Sequence, residues 1–553
     1  MKYVVQYVIL ENMITELTAI IKPEDEKNNF AITRTICDEL HKKNINAKTS
    51  EIQFQVLKKS IDARHGKVKL VLRLKVFVNE SADALKNQSK LPEWKKAQGT
   101  KSVIIIGSGP AGLFGALRLL EDGIKPIIIE RGKDTSSRKV DIAAISTKDI
   151  VDQNSNYCFG EGGAGTFSDG KLYTRSNKRG DISRILKIFN AFGADEKILT
   201  DAHPHIGTDR LPKIINAMRE KIISLGGEFF FNTKCTDLIL EANKSGGQKI
   251  SGIKAVDLIS GEEKEFSADA VMLATGHSAS DIYFMLAKHS PISLEAKTFA
   301  AGVRVEHPRE LIDSIQYHGQ NSKLKLPTAE YRFTTQVNER GVYSFCMCPG
   351  GFVVPSSSGP DEIVVNGMSA ARRNSKWSNA AIVVEIRPED IPEKYQIEAS
   401  QNGCKDLAGL YFRTALEKLT KENGNGQKAP AQRLTDFLNH IDSSSLPESS
   451  YTPGLVSSRL DKWLPAHIEK RLEQGFADFN KNARGFVCND AVLIASETRT
   501  STPVRITRDK TSFECTGIKN LYPAGEGSGY SGGIVSSAMD GENSAEQIAK
   551  KLR

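Results

Sequence analysis

The sequence predicts an α/β fold of several domains: a parallel-sheet core, an α+β insertion and a small leading module. Three observations predict it. First, the β-branched run Val103 to Ile106 leads straight into a glycine-rich turn, and then into Leu113, Ala116, Leu117 and Leu120 at helical spacing. Strand, tight turn and helix in that order make half of a βαβ unit. Second, the chain has 553 residues, and at about 100–200 residues per domain that is two to four cores. Third, strand-like and helix-like blocks alternate without a tandem repeat at any fixed period.

Taken in order, residues 1–80 form a small α/β module. Tyr3 to Leu10 is strand-like, Ile32, Ile36 and Leu40 share a helix face, and Lys67 to Val78 alternates, with Val68, Leu70, Leu72, Leu74 and Val76 on one side. Residues 81–96 are polar and Lys-rich and read as a linker. The nucleotide-binding domain starts at 97–294. A cap or substrate domain over 295–484 is strand-rich to about residue 385, then mostly helical. The nucleotide-binding domain resumes over 485–553, where strand, Gly-rich turn and helix follow Asn520.

Composition narrows the classes. Hydrophobic residues are 39% and charged residues 26%, which excludes wholesale disorder and fibrous repeats. Gly 44 against Pro 20 suggests backbone passing close to something, not flexible linker. The net charge, 75 − 67 = +8, permits an anionic ligand or a transient nucleic-acid contact and demands neither. Apolar runs are too short to span a bilayer, so no membrane partner is expected. The first residues are not a secretory signal, and eight cysteines then read as reduced thiols in a cytoplasmic protein.

Three stretches match the bare Gly-x-Gly-x-x-Gly pattern, beginning at Gly107, Gly160 and Gly527. Only the first has a strand before it, a helix after it and an acid closing the next strand. That acid is Glu130, 130 − 107 = 23 residues after Gly107. In Gly107-Ser108-Gly109-Pro110-Ala111-Gly112 the first glycine permits the turn, the second lets backbone approach a pyrophosphate, and the third lets helix pack on strand. The helix N-terminus offers free N–H groups and partial positive charge to phosphate. Glu130 would accept from ribose hydroxyls and so favours FAD or NAD over NADP.

The tail separates FAD from NAD. Leu521 to Gly527 is a strand ending in Gly525-Glu526, and a helix begins near Ile534 after Gly532-Gly533. This second element resembles one in the glutathione-reductase-like flavoprotein superfamily. The resemblance implies that Glu526 reaches the ribityl or pyrophosphate region and that the helix at Ile534 points its positive end at the flavin. Ala274-Thr275-Gly276 closes a strand and resembles a second element of that superfamily. Cys235 sits where such folds pass main chain by the adenine. Arg131 and Arg138 belong to the same expected cofactor set.

Longer segments carry a closer resemblance, over about residues 100 to 545. They include Phe159 to Leu172, His205 to Asp209, Gly302 to Pro308, Ser344 to Gly351, Asn366 to Ser369, Arg499 to Ile506 and Gly525 to Gly533. Together they resemble a family of bacterial FAD-dependent dehydrogenases, also described as NAD(FAD)-utilising proteins. That implies a Rossmann-like FAD-binding domain with an inserted cap, and no particular substrate. In such flavoproteins a loop like Gly162-Gly163-Ala164-Gly165-Thr166 lines pyrophosphate and flavin; the alternative is a structural loop near the cofactor.

Candidates for chemistry lie in the insertion and in the segments on either side of it. Cys346 and Cys348 sit on a strand-like run, so both face one side while Tyr343, Phe345 and Met347 face the other. A disulfide would need the strand to bend at Pro349-Gly350-Gly351. They are either small buried residues of a cap sheet or thiols lining the flavin pocket. His205, with His203 and His307, is either structural or a proton donor; no ligand set for a metal is spaced around them. Arg304, like Arg373, Arg499 and Arg505, either orients an anionic substrate or pairs with a neighbouring acid such as Glu306 or Asp509. No second strand–glycine turn–helix unit is present for a nicotinamide. NADH or NADPH would therefore bind transiently over the flavin, or electrons would come from the small-molecule substrate or a protein donor. The expected function is an FAD-dependent oxidoreductase passing hydride between a small molecule and flavin N5. The rivals are a flavin-dependent RNA-modifying or RNA-binding protein, prompted by Lys42, Lys43, Lys58, Lys59, Lys67 and Lys69, and a flavin redox sensor without turnover.

Overall fold

A computed structural model describes residues 12–80, 91–174, 179–243, 246–289 and 292–553. Its nucleotide-binding core is a five-stranded parallel sheet. The spatial order is Leu521–Pro523, Ala270–Leu273, Ser102–Ile106, Lys125–Ile129, Glu228–Phe230. Ser102–Ile106 lies at the centre and is apolar from Val103 onward because both faces are covered. Val103 and Ile105 pack into one core, Ile104 and Ile106 into another. Helices Pro110–Glu121 and Ile534–Leu552 lie together on the first of these faces. A smaller sheet, built on Thr233–Ala242, Gln248–Asp257 and Glu263–Ser267, covers the other.

The insertion forms a seven-stranded sheet. Its order is Thr334–Val337, Arg340–Cys348, Trp377–Ile386, Phe299–Pro308, Val492–Glu497, Ala429–Arg433, Leu455–Ser457. Helices Ala408–Glu422 and Ala466–Asn482 close it around Phe412, Phe437, Phe476, Phe479 and Phe486. This moves the expected boundary at 484/485. Val492–Glu497 pairs antiparallel with Phe299–Pro308, so the chain leaves the cap only after Glu497. A uniformly buried strand carries no mark of which sheet it joins, which is why the sequence placed it in the other domain.

The leading module has strands Met13–Ile21, Ile52–Asp62 and Lys69–Val78, with the last in the middle, and helix Asn29–His41 on one face. Its core includes Leu17, Ile36, Leu72 and Leu74. The expected strand Tyr3 to Leu10 lies outside the described residues. Ile52–Asp62 escaped the sequence reading because its alternation is interrupted by a register shift between Val56 and Lys58. The module docks by main chain: Lys59 N–H donates to Thr200 O and Ala202 N–H to Lys59 O, both at 2.8 Å. Among the described residues no helix is long and apolar enough to cross a membrane.

Candidate functional site

The turn after the central strand is built as its spacing demands. Gly107 takes φ +104°, and a Cβ there would sit 2.5 Å from Ala274 O. A Cβ on Gly112 would overlap the Gly107 carbonyl, so only glycine lets the helix start this close to the strand. Gly109 caps the helix with no side chain, which leaves the first N–H groups of Pro110–Glu121 without a side-chain partner. Ala274 N–H donates to Ile106 O at 2.9 Å, fixing Ala274-Thr275-Gly276 beside the turn.

Two further glycine-rich segments come to the same place. Gly162 N–H donates to Ser108 O at 3.0 Å, and a Cβ on Gly163 would meet Gly109 Cα at 3.2 Å. A Cβ on Gly165 would lie 3.2 Å from Ile534 Cγ1 and 3.9 Å from Pro110 Cγ. Thr166 is buried, its hydroxyl donating to Glu161 O, and Ala164 lies within the short 3-10 turn Gly163–Gly165. Pro110, Leu113, Gly162, Gly165, Ile215 and Ile534 enclose a small apolar pocket at the junction. Gly533 caps Ile534–Leu552, also with no side-chain bond. Positions 276, 532 and 533 have no atom within 4 Å of where a Cβ would be. Beside Gly276, the buried His277 Nε2 has no partner, while its Nδ1 lies 3.4 Å from Glu526 Oε1. Two uncapped helix ends, bare glycine backbone and an orphaned ring nitrogen fit a long anionic dinucleotide.

Several expected ligands do other work. Glu130 is buried and its oxygens accept from Ser108 N–H (3.0 Å), Ser108 Oγ (2.7 Å), Gly132 N–H (2.9 Å) and Gly160 N–H (3.1 Å). That fills a carboxylate's acceptor sites, so Glu130 clamps the turn; only the Ser108 hydroxyl can rotate aside for a ribose. Arg138 is fully buried and donates to the carbonyls of Asn156, Tyr157, Glu161 and Gly163 at 2.7–2.9 Å. It is the internal brace of the Gly160–Gly165 loop, not a cofactor ligand; burial pulls it down to about 10. Arg131 makes a two-point pair with Asp281 at 2.7 and 2.8 Å over the Phe159 ring. The Cys235 thiol is buried and pushed up to about 12 by that burial, consistent with a main-chain role. Gly525 N–H donates to Asp540 Oδ2 at 2.8 Å, which seats the last strand on the last helix.

A second cluster lies in the cap. Cys346 has φ +44°, and the pairing with Trp377–Ile386 shifts register between Phe345 and Cys348. This corrects the regular alternation expected there: the bend falls at Cys346 itself, not at Pro349-Gly350-Gly351. Lys171 Nζ donates to Met347 O and lies 3.9 Å from Cys346 Sγ, 4.0 Å from Cys348 Sγ and 3.5 Å from Asp169 Oδ2. Arg304 is fully buried; it pairs with Glu497 at 3.0 Å, donates to Asn379 Oδ1 at 2.6 Å and lies 4.0 Å from Cys348 Sγ. Its partner is therefore Glu497, not the adjacent Glu306, which instead accepts from Ser450. A hydrogen bond from Cys348, then the charges of Lys171 and Arg304, hold the Cys346 thiol well below its ordinary range against burial. Donating that bond, together with burial, raises Cys348.

Asp169 extends the cluster by a two-point pair with Arg373 at 2.5 and 3.2 Å, and Arg373 also holds Glu330 at 2.5 Å. His205 bonds Ala371 O at 3.2 Å; burial and Arg373 push it below its usual value, so it stays neutral at pH 7. His307 is buried against Phe486 O at 2.7 Å, which makes it structural. Arg499 is buried between Glu362 and Glu417, and Arg505 pairs with Glu295, not Asp509. Sequence reasoning missed Lys171, Asp169 and Glu497 as site residues. Asp169 and Lys171 had one signal, their position inside the long segment Phe159 to Leu172, and Glu497 had none, since lysine and acid ordinarily mark a solvated surface.

Comparisons with known proteins agree with this division. The model of an FAD-dependent protein C-terminal domain matches residues 298–500, an FAD-binding domain matches 100–148, and a domain of unknown function matches 13–77. A protein of Clostridium beijerinckii is 37% identical over 547 residues, spanning 96% of this chain and 97% of its own. Among solved structures, a flavoprotein/dehydrogenase from Cytophaga hutchinsonii is 11% identical, with 81% of this chain and 79% of that one covered at a TM-score of 0.36. A flavin-dependent brominase is 15% identical with 81% and 79% covered, at a TM-score of 0.35. Likenesses that weak say nothing about activity. The sustained identity with the clostridial protein and the two flavin-domain matches decide the matter: the chain belongs to a family of FAD-dependent flavoproteins.

Proposed function

We propose that this protein is an oxidoreductase that exchanges a hydride with a small-molecule substrate, using FAD held where the three glycine-rich segments converge. The carrying observation is that convergence: the 107–112 turn, the 162–166 loop and the 532–534 helix start meet at two uncapped helix N-termini. The main-chain N–H groups of Gly109, Ala111 and Gly112 would hold the pyrophosphate, with Gly162 to Thr166 lining its near side. The helix start at Gly532-Gly533-Ile534 would put a positive end beside the ring, and His277 has a nitrogen to spare for the linker. When bound, FAD supplies a two-electron carrier that accepts hydride at N5.

The rest falls to this chain. The cap sheet closes the far side and excludes water. Lys171 and Arg304 keep positive charge at its inner edge, where an anionic group of a substrate would be oriented. His205, neutral at pH 7, can accept a proton at the ring nitrogen that does not face Ala371. Among the described residues there is no second dinucleotide domain, so NADH or NADPH, as a transient donor, would dock over the flavin itself. The test is anaerobic rapid mixing of the purified protein with NADH, then NADPH, while flavin absorbance is followed. Bleaching by either assigns the donor. Bound FAD that stays oxidised assigns electron delivery to the substrate or a protein partner. A protein that purifies colourless and refuses added FAD overturns the proposal.

A further inference from the structure

Cys346 and Cys348 lie together at a bulge of the cap sheet, beneath two cations. The bulge turns Cys346 out of the strand's alternation, with φ +44° and partial exposure, while Cys348 stays fully buried. Cys348 Sγ lies 3.4 Å from Cys346 O. Two cations face the pair from different elements: Lys171 from the glycine-rich loop and Arg304 from the cap strand Phe299–Pro308, on the far side of Trp377–Ile386. The acids facing those cations are Asp169 and Glu497, and Tyr331 packs alongside. Lys171 is about a third exposed, at 31%, and Cys346 is half-buried, so the cluster is not sealed from solvent. The same loop carries Gly162 against the dinucleotide turn and Lys171 against the thiols.

We propose that Cys346 and Cys348 form a dithiol redox site that reduces a low-molecular-weight disulfide. Cys346 is the attacking thiolate and Cys348 the resolving thiol. Cys346 S⁻ attacks one sulfur of R–S–S–R; a Cys346–S–S–R bond forms, the R–S–S–R bond breaks and RS⁻ leaves. That RS⁻ takes the Cys348 proton and departs as RSH. Cys348 S⁻ then attacks Cys346, forming the internal disulfide and releasing a second RS⁻. Two electrons have passed from the protein to the substrate. Resetting the thiolate–thiol pair needs two electrons and one proton, which a reduced flavin supplies. This last clause alone rests on the flavin reading; the exchange itself does not.

The test is carried out on the full-length protein as purified, anaerobically, with flavin content recorded. Iodoacetamide labelling is read peptide by peptide between pH 5.5 and 8.5, and glutathione disulfide serves as the substrate probe. Cys346 is expected to label at pH 6 about tenfold faster than the partly exposed Cys37, whose thiol is raised. One equivalent of glutathione disulfide is expected to remove two thiols per chain and leave no glutathione attached. In Cys348→Ser, glutathione is expected to stay bound at Cys346. Lys171→Met is expected to slow Cys346 labelling at pH 6 about tenfold and less at pH 8.5. Equal labelling of Cys346 and Cys37, or retained thiols after glutathione disulfide, overturns the proposal. Because the readout is thiol chemistry, a colourless protein would overturn the flavin reading and still leave this result to stand or fall alone.

Discussion

The dinucleotide turn and the cap cluster lie at opposite ends of one loop and are built by opposite means. The turn is main chain: the helix start at Gly109 has no side-chain cap, and the side chains of Glu130 and Arg138 nearby are spent on partners within the protein. The cap cluster is side chain: Arg304, Glu497, Lys171, Asp169 and Arg373 bury charge against charge. A backbone site changes little with pH and fails when a methyl group intrudes. A charge site tolerates shape and fails when one partner is removed. The difference teaches that the binding and the reactivity proposed here fall in separable parts of the chain.

Removing a cap charge should have the largest effect. Arg304→Met leaves Glu497 and Asn379 buried without their donor and is expected to destabilise by about 3–5 kcal/mol. Glu497, already pushed up to about 7 by burial with Arg304 opposing, would protonate in response. Melting of the variant should therefore be worse at pH 8 than at pH 6, and an equal deficit at both would blunt the contrast. Next comes acid. His307 is held neutral, pushed down to about 4 from an ordinary 6.5 by burial. The unfolded chain binds that proton first, so this stability is present above pH 6.5 and lost as pH falls toward 4, about 3 kcal/mol in all. Thermal melts from pH 7 to 4 should show His307→Gln losing less than the parent.

Gly112→Ala tests the other region. The added methyl meets the Gly107 carbonyl, and the expected cost is about 1–3 kcal/mol together with loss of co-purifying flavin. Flavin retention at full occupancy would break the assignment of this turn. Lys59→Ala should do least, below about 1 kcal/mol with flavin content unchanged, because the Thr200 and Ala202 main-chain bonds to residue 59 survive. A larger loss would mean that the leading module depends on its ion pairs after all.

Regions differ in legibility as well. From Val103 to Glu130 the sequence was read correctly because everything needed is local: a strand, a turn and a helix specify each other within thirty residues or so. The convergence of the three glycine-rich segments was legible only through their resemblance to flavoproteins. The roles of Glu130 and Arg138 were not legible, since two of the donors to Glu130 and all of the acceptors of Arg138 come from residues 132–163, whose path local patterns do not fix. The Cys346 bulge was hidden too, because alternation of Tyr343, Phe345 and Met347 looks the same with or without it. Val492–Glu497 shows the same limit at the scale of domains: burial is legible, partnership is not.

The parallel sheet has a consequence for how the protein is made. Its strand Ala270–Leu273 gains its outer neighbour only from Leu521–Pro523, on the far side of the whole insertion. While the ribosome is still translating the cap, the half-finished sheet has an open edge and lacks one of the two helix ends that face the cofactor site. With the flavin held as proposed, its capture is then a terminal event of synthesis. A chain released early would keep a folded cap and leading module yet stay colourless, so pigment reports completion in a way that solubility does not.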